Sequence, residues 1–268
     1  MKKVKITGVV PAAGRGTRLW PYPCPKELFP IGYEEYNING TVQKRPKVIS
    51  HYLIERMVAA GAYRIIIIIG ENKQDVMRYY GDGRRFNAEI VYRYQEEPKG
   101  MPYALDLARN LAEGDVVIFG MPDVIFDPKD AFEQLLHMHF TEKNDLTLGL
   151  FPTTTPQKFG MVELDAEGNV TLVIDKPQRT TLQYLWGLAV WSDAFANTLS
   201  QFIDMHRESE QEIVLGDAFC LAINDGLQVK GTIFKTGRYI DIGTPEGLDE
   251  AIRTFSIRTA IEAASKPV

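Results

Sequence analysis

Five consecutive isoleucines at Ile65–Ile69 constrain the fold more than any other segment of the chain. Successive side chains of a β-strand point to opposite faces of the sheet, so a half-exposed strand would place some of these isoleucines in water. The run therefore predicts a strand in a parallel sheet that is covered by helices on both faces.

Strand-like and helical patterns alternate through the first half of the chain. Helical spacing of apolar residues predicts helices over 53–58 and over 101–111. Gly61 is placed to end the first of these helices. Further strands are predicted at Val4–Val10, Ala88–Tyr92, Val116–Phe119 and Leu146–Phe151. This alternation predicts an α/β fold with a Rossmann-like, mostly parallel sheet and helices on both faces.

The pattern changes after about residue 151, where a smaller β-containing region is expected. The turn-rich spacer Asp165–Asn169 predicts a hairpin between strands at Met161–Leu164 and Val170–Ile174. The remaining predicted elements are strands at Leu185–Trp191 and Val229–Phe234 and helices near Ala194–Met205, Glu212–Ile223 and Pro245–Ile257. No break resembles a linker, so we expect a single domain over residues 1–268, and we expect Gly32–Arg45 to be a surface loop.

Composition excludes several classes of protein. Lys and Arg total 30 against 35 Asp and Glu, a net charge of -5, so the broad basic face of a duplex-DNA binder is absent and no nucleic-acid partner is expected. Two cysteines, Cys24 and Cys220, cannot form a disulfide scaffold and fit a reducing compartment. No apolar run approaches the roughly 20 residues that span a bilayer. The apolar run near the start of the sequence is too short for a secretory signal. We therefore expect a cytoplasmic protein without a membrane partner.

The segment that follows the first predicted strand, Pro11–Leu19, contains Gly14-Arg15-Gly16. Glycines there let the backbone approach a ligand, and successive N–H groups can surround phosphate oxygens. A Gly-x-Gly pair alone is weak evidence. The third glycine of the dinucleotide fingerprint and the Gly-Lys-Ser/Thr of the Walker pattern are both missing, which disfavours a nicotinamide oxidoreductase and a P-loop ATPase.

The next segment, Pro21–Ile31, has four prolines among ten residues and carries Lys26. A stiff loop with two cations, Arg18 and Lys26, suits a polyphosphate. The whole stretch resembles the Gly-x-Gly-Thr-Arg-Leu…Pro-Lys-x-Leu-x-Pro-Ile signature of the sugar-1-phosphate nucleotidylyltransferases, in particular the glucose-1-phosphate thymidylyltransferases and uridylyltransferases.

Five later segments resemble motifs of that family in the same order. Gln95–Gly100 resembles the loop that recognises the base, and Gly120–Phe126 resembles the segment whose Asp holds Mg²⁺. Phe159–Glu163 and Asp175–Pro177 resemble segments that contact the sugar and its phosphate, and Tyr239–Thr244 resembles the motif with the second metal-binding Asp.

The resemblance implies a role for each matching residue. Arg18 and Lys26 would be catalytic, and Asp123 and Asp241 would hold Mg²⁺. A buried carboxylate needs a partner, and Mg²⁺ bound by carboxylates and substrate phosphates would supply it. The implied nucleotide-binding residues are Ala12, Ala13, Gly14, Gly16, Thr17, Gln95, Pro98 and Gly100, and the implied sugar-phosphate-binding residues are Gly160, Asp175, Lys176 and Gly187.

The implied reaction joins a nucleoside triphosphate, dTTP or UTP favoured, to a sugar 1-phosphate, glucose 1-phosphate favoured, and releases pyrophosphate. Residues of about 1–151 would bind the nucleotide and those of about 152–268 the sugar. The chain departs from the family at Met101-Pro102-Tyr103, at Pro122 and at Asp175, where Glu is usual, so the sugar stays open. A non-catalytic sugar-nucleotide sensor or regulatory subunit of the same fold is the main alternative, and a homo-oligomer is left open.

Overall fold

The structure, a computed structural model, describes residues 4–19, 21, 23–209 and 211–264. The strands are β1 (Ile6–Pro11), β2 (Pro30–Ile38), β3 (Thr41–Val48), β4 (Ala62–Ile69), β5 (Glu89–Tyr94), β6 (Val116–Gly120), β7 (Val124–Asp127), β8 (Leu146–Pro152), β9 (Gly160–Leu164), β10 (Val170–Asp175), β11 (Tyr184–Trp191), β12 (Val229–Ile233) and β13 (Arg238–Asp241). The α-helices are α1 (Ile49–Ala59), α2 (Gln74–Tyr80), α3 (Met101–Asp106), α4 (Arg109–Ala112), α5 (Ala131–Thr141), α6 (Asp193–Met205), α7 (Leu215–Asn224) and α8 (Pro245–Ala264).

Nine strands of the described chain form one large mixed sheet, in which seven follow the order β10-β9-β11-β6-β1-β4-β5. Strand β1 pairs in parallel with β4 and β6, and β4 pairs in parallel with β5. This parallel, Rossmann-like part brings the carboxyl ends of four strands to one edge, where open α/β sheets bind ligands.

The five isoleucines lie in β4, and they alternate between the two faces of the sheet. Ile65, Ile67 and Ile69 pack in a core with helices α1, α2 and α5, whereas Ile66 and Ile68 pack in a core with α3, α4, α6 and α7. The most exposed of the five, Ile69, has only 6% of its surface accessible. The predicted strand and the predicted helices on both faces are therefore confirmed.

The second half of the chain extends the same sheet. Strand β11 pairs with β6 in antiparallel orientation and also with β8, which in turn pairs with β12. The predicted hairpin is present as β9 and β10, and Asp165 ties its turn through hydrogen bonds from the N–H groups of Glu167 and Asn169.

Gly32–Arg45 was predicted to be a loop, and that prediction is wrong. The segment lies in the antiparallel hairpin of β2 and β3, which turns at Asn39 and Gly40. Both residues have positive φ angles, 53° and 82°, as a two-residue hairpin turn of the Asn-Gly type requires.

Two other predictions need smaller corrections. The helix expected over 101–111 is two short helices, α3 and α4, and the helix expected from Glu212 begins at Leu215. The sequence also gave no sign of the ribbon formed by β7 and β13, which lies outside the main sheet. Among the described helices, none is both long and apolar enough to cross a membrane.

Candidate active site

A cleft of about 430 Å³ lies at the carboxyl ends of β1, β4 and β5. The loop after β1 forms one wall, the segment 70–75 after β4 forms another, and the loop after β5 contributes Gln95, Glu96 and Pro98. The parallel order of these strands brings the three loops together, although the residues are far apart in the chain.

Five of the eight predicted nucleotide-binding residues line this cleft: Ala13, Gly16, Thr17, Gln95 and Pro98. The other three do not line it. Ala12 is buried and its N–H donates to the carbonyl of Ile68 at 2.7 Å, so it holds the loop against β4. Gly14 has open space where a side chain would begin, and Gly100 accepts a long hydrogen bond from the Gln95 amide, 3.5 Å.

Lys26 also lines the cleft, on a single turn of 3-10 helix, Lys26–Leu28. Its methylene groups lie 3.7 Å from the position where a Cβ on Gly16 would stand. Gly16 has a φ of +66°, so glycine there serves both the left-handed backbone and the close approach of the lysine.

Arg18 faces a different, larger cleft of about 920 Å³, which Lys176, Phe159, Tyr239 and Asp241 also line. Lys176 has a φ of +44°, unusual for a residue with a side chain, and its N–H donates to the carbonyl of Phe159 at 3.0 Å. Its ammonium contacts the Asp175 carboxylate at 3.1 Å. The two predicted catalytic cations are therefore on different clefts.

Gly160 and Gly187, which were predicted to bind the sugar phosphate, are not among the residues that line the larger cleft. A Cβ on Gly160 would collide with the indole nitrogen of Trp186, and one on Gly187 would collide with the ring of Tyr239. Both glycines therefore make room for aromatic side chains. Gly160 is also the register partner of Asp175 across the β9–β10 hairpin.

The ribbon of β7 and β13 brings the two predicted metal-binding residues together. Asp241 stands opposite Val124, the residue after Asp123, and the N–H of Ile242 donates to the carbonyl of Asp123 at 3.0 Å. Asp123 is 2% exposed. The pairing explains how carboxylates from distant segments meet at one place.

Groups of opposite charge lie close together around this carboxylate pair. Lys26 donates a short hydrogen bond to Oδ2 of Asp123, whose Oδ1 is buried without a hydrogen-bond partner in the described chain. Burial raises the pKa of the Asp241 carboxyl, and the negative charge of Asp123 raises it further. Burial alone would lower the pKa of Lys26, but Asp123 and Glu27 outweigh it and the pKa is raised. The two carboxylates are thus buried close to each other and face the cations Lys26 and Arg18.

Sequence reasoning missed Lys73. This lysine lines the smaller cleft, although only 5% of its surface is exposed. Its ammonium donates to Oε2 of the buried Glu27 at 2.7 Å. Burial raises the pKa of Glu27 despite the opposing effects of Lys73 and Lys26. The position of Lys73 just after the isoleucine strand, at the same sheet edge as the glycine loop, is a signal that could have identified it.

Another group of potential ligands, Glu34, His51 and Glu55, lies where the β2–β3 hairpin meets α1. Lys47 already forms an ion pair with Glu55, and the hydroxyl of Tyr36 donates to Glu34. None of these three residues lines either cleft, so we do not assign the metal of the reaction to this group.

The profile of one protein family, Nucleotidyl transferase, matches residues 7–256. The chain belongs to the nucleotidyl transferase family. The match spans the glycine loop, both clefts and the two carboxylates, so the residues brought together at the sheet edge all lie within the family's own domain.

Two curated relatives of this nucleotidyl transferase have similar identities. A low-salt glycan biosynthesis nucleotidyltransferase of Haloferax volcanii is 27% identical over 250 residues, which cover 92% of this chain and 65% of that protein. A glucose-1-phosphate thymidylyltransferase of Neisseria meningitidis is 26% identical over 253 residues, 92% of this chain and 81% of that enzyme. The chain thus spans less than two thirds of the Haloferax protein.

Two solved structures share the fold of this chain. A UDP-glucose pyrophosphorylase complexed with UDP-glucose superimposes with a TM-score of 0.78 at 20% identity, covering 95% of this chain and 99% of that one. A UTP-bound UGPase of Acinetobacter baumannii gives 0.73 at 17% identity, covering 95% and 94%. The predicted fold class is confirmed by these likenesses.

Proposed function

We propose that this chain transfers a nucleotidyl group from dTTP or UTP to a sugar 1-phosphate, with glucose 1-phosphate favoured, and releases pyrophosphate. The observation that carries the proposal is the position of the carboxylate pair relative to the two clefts. Asp123 contacts Lys26 of the smaller cleft, and Asp241 lines the larger cleft. Two substrates, one in each cleft, would therefore meet at a site with both acidic and basic groups.

In the proposed reaction, an oxygen of the sugar phosphate attacks the α-phosphorus of the triphosphate. The bond from that phosphorus to the oxygen that bridges the α- and β-phosphates breaks, and pyrophosphate leaves with the electron pair. The attacking phosphate is already an anion near neutral pH, so no general base is required. Positioning and neutralisation of charge then account for the rate enhancement.

The cations of the site have distinct parts in this proposal. Lys26, on the smaller cleft beside the glycine loop, would bind the triphosphate. Arg18 and Lys176, on the larger cleft, would bind the sugar phosphate and stabilise the negative charge that builds up on the phosphoryl oxygens during transfer. Fixed cations that need no reorganisation during the reaction are the type of group that stabilises such a transition state.

The carboxylate pair fits a divalent cation. Asp123 Oδ1 is a buried acceptor without a partner in the described part of the chain, and an added Cβ on Gly243 would fill a space bordered by Asp123 and Asp241. Oxygen ligands of this kind suit Mg²⁺. Bound by Asp123 and Asp241, Mg²⁺ would neutralise charge on the phosphates of the substrate.

The proposal includes a pyrimidine base in the smaller cleft, with Gln95 as the side chain that hydrogen-bonds it. Gln95 is 8% exposed and its backbone N–H donates to the carbonyl of Ile69 at 2.8 Å, so the end of β4 fixes its position.

A single domain over 1–268, with sugar binding in 152–268, is also part of the proposal, and the pairing of β11 with β6 supports it. So is a cytoplasmic location.

A panel of nucleotides crossed with sugar 1-phosphates tests the proposal. The purified protein is incubated with Mg²⁺ and each pair, pyrophosphate release is followed, and products are identified by mass spectrometry. Asp123→Asn, which should be much less active at the same Mg²⁺ concentration, serves as the matched control. We expect a nucleotide sugar from dTTP or UTP with glucose 1-phosphate. Absence of a nucleotide sugar from every pair would overturn the proposal, and a preference for ATP or GTP would overturn the pyrimidine part of it.

A further inference from the structure

Gly243 lies at the centre of the charged site, two residues after Asp241. The position at which a Cβ on Gly243 would stand is 2.8 Å from Oδ1 of Asp241, 3.1 Å from Nη2 of Arg18 and 3.2 Å from Oδ2 of Asp123. All three nearest atoms belong to charged side chains. The absence of a side chain at residue 243 therefore leaves a small space that two carboxylates and one guanidinium border.

The backbone of Gly243 has a second contact with the same group. Its N–H donates to Oδ1 of Asp241 at 2.7 Å, which fixes the direction of that carboxylate. The φ of Gly243 does not lie in the left-handed region. An alanine could adopt this backbone conformation without strain, so the conformation by itself does not require glycine.

Other crowded glycines of the site have different neighbours. A Cβ on Gly187 would meet the ring of Tyr239, and one on Gly247 would meet the backbone of Asp241. Glycine at those positions permits packing of the protein against itself. At Gly243 the nearest atoms are the ends of flexible side chains. An added methyl group would therefore displace charged side chains, above all the carboxylate of Asp241, and leave the backbone of the fold in place.

We propose that Gly243 is a positioning residue of the divalent-cation site. Because it has no side chain, it leaves the carboxylates of Asp123 and Asp241 undisplaced, and its N–H fixes the direction of the Asp241 carboxylate. This inference rests on the proposed function, because that function supplies the need for the ion. It adds a residue that contributes no ligand atom but determines whether the two ligands can act together.

The test is direct binding of Mn²⁺, a paramagnetic substitute for Mg²⁺, to the protein without nucleotide or sugar phosphate. Free Mn²⁺ is measured by electron paramagnetic resonance for the wild type and for Gly243→Ala. Loss of groups that orient metal ligands typically weakens affinity about 10- to 100-fold, and we expect a loss in this range. Circular dichroism and the unfolding temperature without metal should be close to those of the wild type.

Gly216→Ala is the matched control. A Cβ on Gly216, in α7, would stand 3.2 Å from the side chain of Val173, so this position is also crowded, although less closely than Gly243, and its neighbour is apolar. This variant should bind Mn²⁺ as the wild type does. In the activity assay, Gly243→Ala should need about 10- to 100-fold more Mg²⁺ for half-maximal rate, whereas Gly216→Ala should not.

The outcomes separate this inference from the function on which it rests. If the wild type binds Mn²⁺ and Gly243→Ala binds it equally well, the role of Gly243 is overturned and the proposed function stands. If the wild type binds no Mn²⁺, the metal site itself is overturned, and the inference with it. If Gly243→Ala does not fold, Arg18→Ala/Gly243→Ala is compared with Arg18→Ala, because removal of the guanidinium leaves space into which the displaced Asp241 carboxylate can turn while the fold is kept. Equal Mn²⁺ affinity in that pair would also overturn the inference.

Discussion

The ammonium of Lys26 and the carboxylate of Asp123 form an ion pair whose side chains are 15% and 3% exposed. The lysine occupies Oδ2 of the carboxylate, while Oδ1 has no partner among the residues described. Because Lys26 also lines the smaller cleft, it stands between that cleft and the carboxylate pair. A divalent ion that binds Asp123 must therefore compete with a cation that is already in place.

This competition predicts opposite effects of Lys26→Met on metal binding and on catalysis. Without nucleotide, Mn²⁺ should bind the variant at least about tenfold more tightly, or about 1.4 kcal/mol, because the competing charge is gone. With saturating substrates, kcat should fall by about 10²- to 10³-fold, because a fixed cation no longer stabilises the transition state. Isothermal titration and initial rates measure the two effects.

The matched control for Lys26→Met is Lys230→Met, which removes a lysine of β12 that pairs with Glu142 and lines neither cleft. It should change neither quantity appreciably. Weaker Mn²⁺ binding by Lys26→Met would contradict the competition, and an unchanged kcat would contradict the role of Lys26 in the reaction.

Asp123→Asn and Asp241→Asn should each raise the Mg²⁺ concentration needed for activity, because a neutral amide is a poorer ligand for a hard cation than a carboxylate. If both residues hold one ion, the double variant should lose much less than the product of the two single losses. Rates measured over a range of Mg²⁺ concentrations test this expectation. Fully additive losses, or activity in excess EDTA, would count against a shared ion.

Gln95→Ala should weaken nucleotide binding by about 1–3 kcal/mol, because it leaves polar groups of the base and of the loop unpaired. The base does not change during the reaction, so the effect should appear in KM for dTTP or UTP and leave kcat nearly unchanged. Steady-state kinetics with both nucleotides give the answer. A fall in kcat with constant KM would show that Gln95 acts on the reacting groups instead.

Trp186 carries a buried indole N–H without a hydrogen-bond partner in the part of the chain that is described. Replacing Trp186 by Phe removes this unsatisfied donor, which costs the folded state about 1–3 kcal/mol. Both variants should have a lower free energy of unfolding than the wild type, but the loss for Trp186→Phe should be smaller than the loss for Trp191→Phe by about 1–3 kcal/mol. Trp191 is a suitable control because its ring likewise packs on Phe119. Urea unfolding of both variants measures the difference, and equal losses would contradict the prediction.

His139 should make the protein less stable in mild acid. Burial lowers the pKa of His139 from 6.5 to about 4, and its ring nitrogen Nδ1 lies 3.1 Å from the hydroxyl of Thr147. Below pH 6.5 the unfolded chain binds a proton at this residue and the folded chain does not, so stability falls as the pH decreases towards about 4. The part of the fall that is due to His139 should not exceed about 1.4 kcal/mol per pH unit. His51, whose pKa burial lowers to about 3, adds a fall of its own in the same pH range.

Urea unfolding between pH 7.5 and 5 measures the effect of His139. His139→Gln should flatten the dependence on pH. His137→Gln, on the exposed side of the same helix, should leave the dependence as it is in the wild type. Parallel curves for the wild type and His139→Gln would refute the assignment to His139.

The elements that the sequence predicted well are those with a distinctive local pattern. The isoleucines of β4 and the spacer of the β9–β10 hairpin carry their information locally, within a few residues. The β2–β3 hairpin was missed although Asn39-Gly40 is a strong turn signal, because its strands carry Glu34, Glu35, Lys44 and Arg45 in place of alternating apolar residues. Such a polar ribbon has no hydrophobic pattern to detect.

The candidate site was predictable in part. Resemblance to a family identified Asp123, Asp241, Arg18 and Lys26 as residues of one site. It did not indicate that Lys26 would contact Asp123, that Arg18 would face the other cleft, or that Gly243 would lie among the carboxylates. These relations depend on contacts between distant segments, such as the pairing of β7 with β13 and the ion pair of Lys26 with Asp123, which no local pattern encodes.

The order of strands in the large sheet also has a consequence for synthesis of the protein on the ribosome. Strand β6 is fully buried and lies between β1 and β11, so one of its edges stays unpaired until Trp191 has been made. Strand β8, whose leucines Leu146, Leu148 and Leu150 are wholly buried, waits for its second neighbour until Ile233. A nascent chain that has emerged only as far as residue 151 thus exposes apolar strand edges that invite association with other chains. Protection of the growing chain is most needed while residues 152–233 are being added.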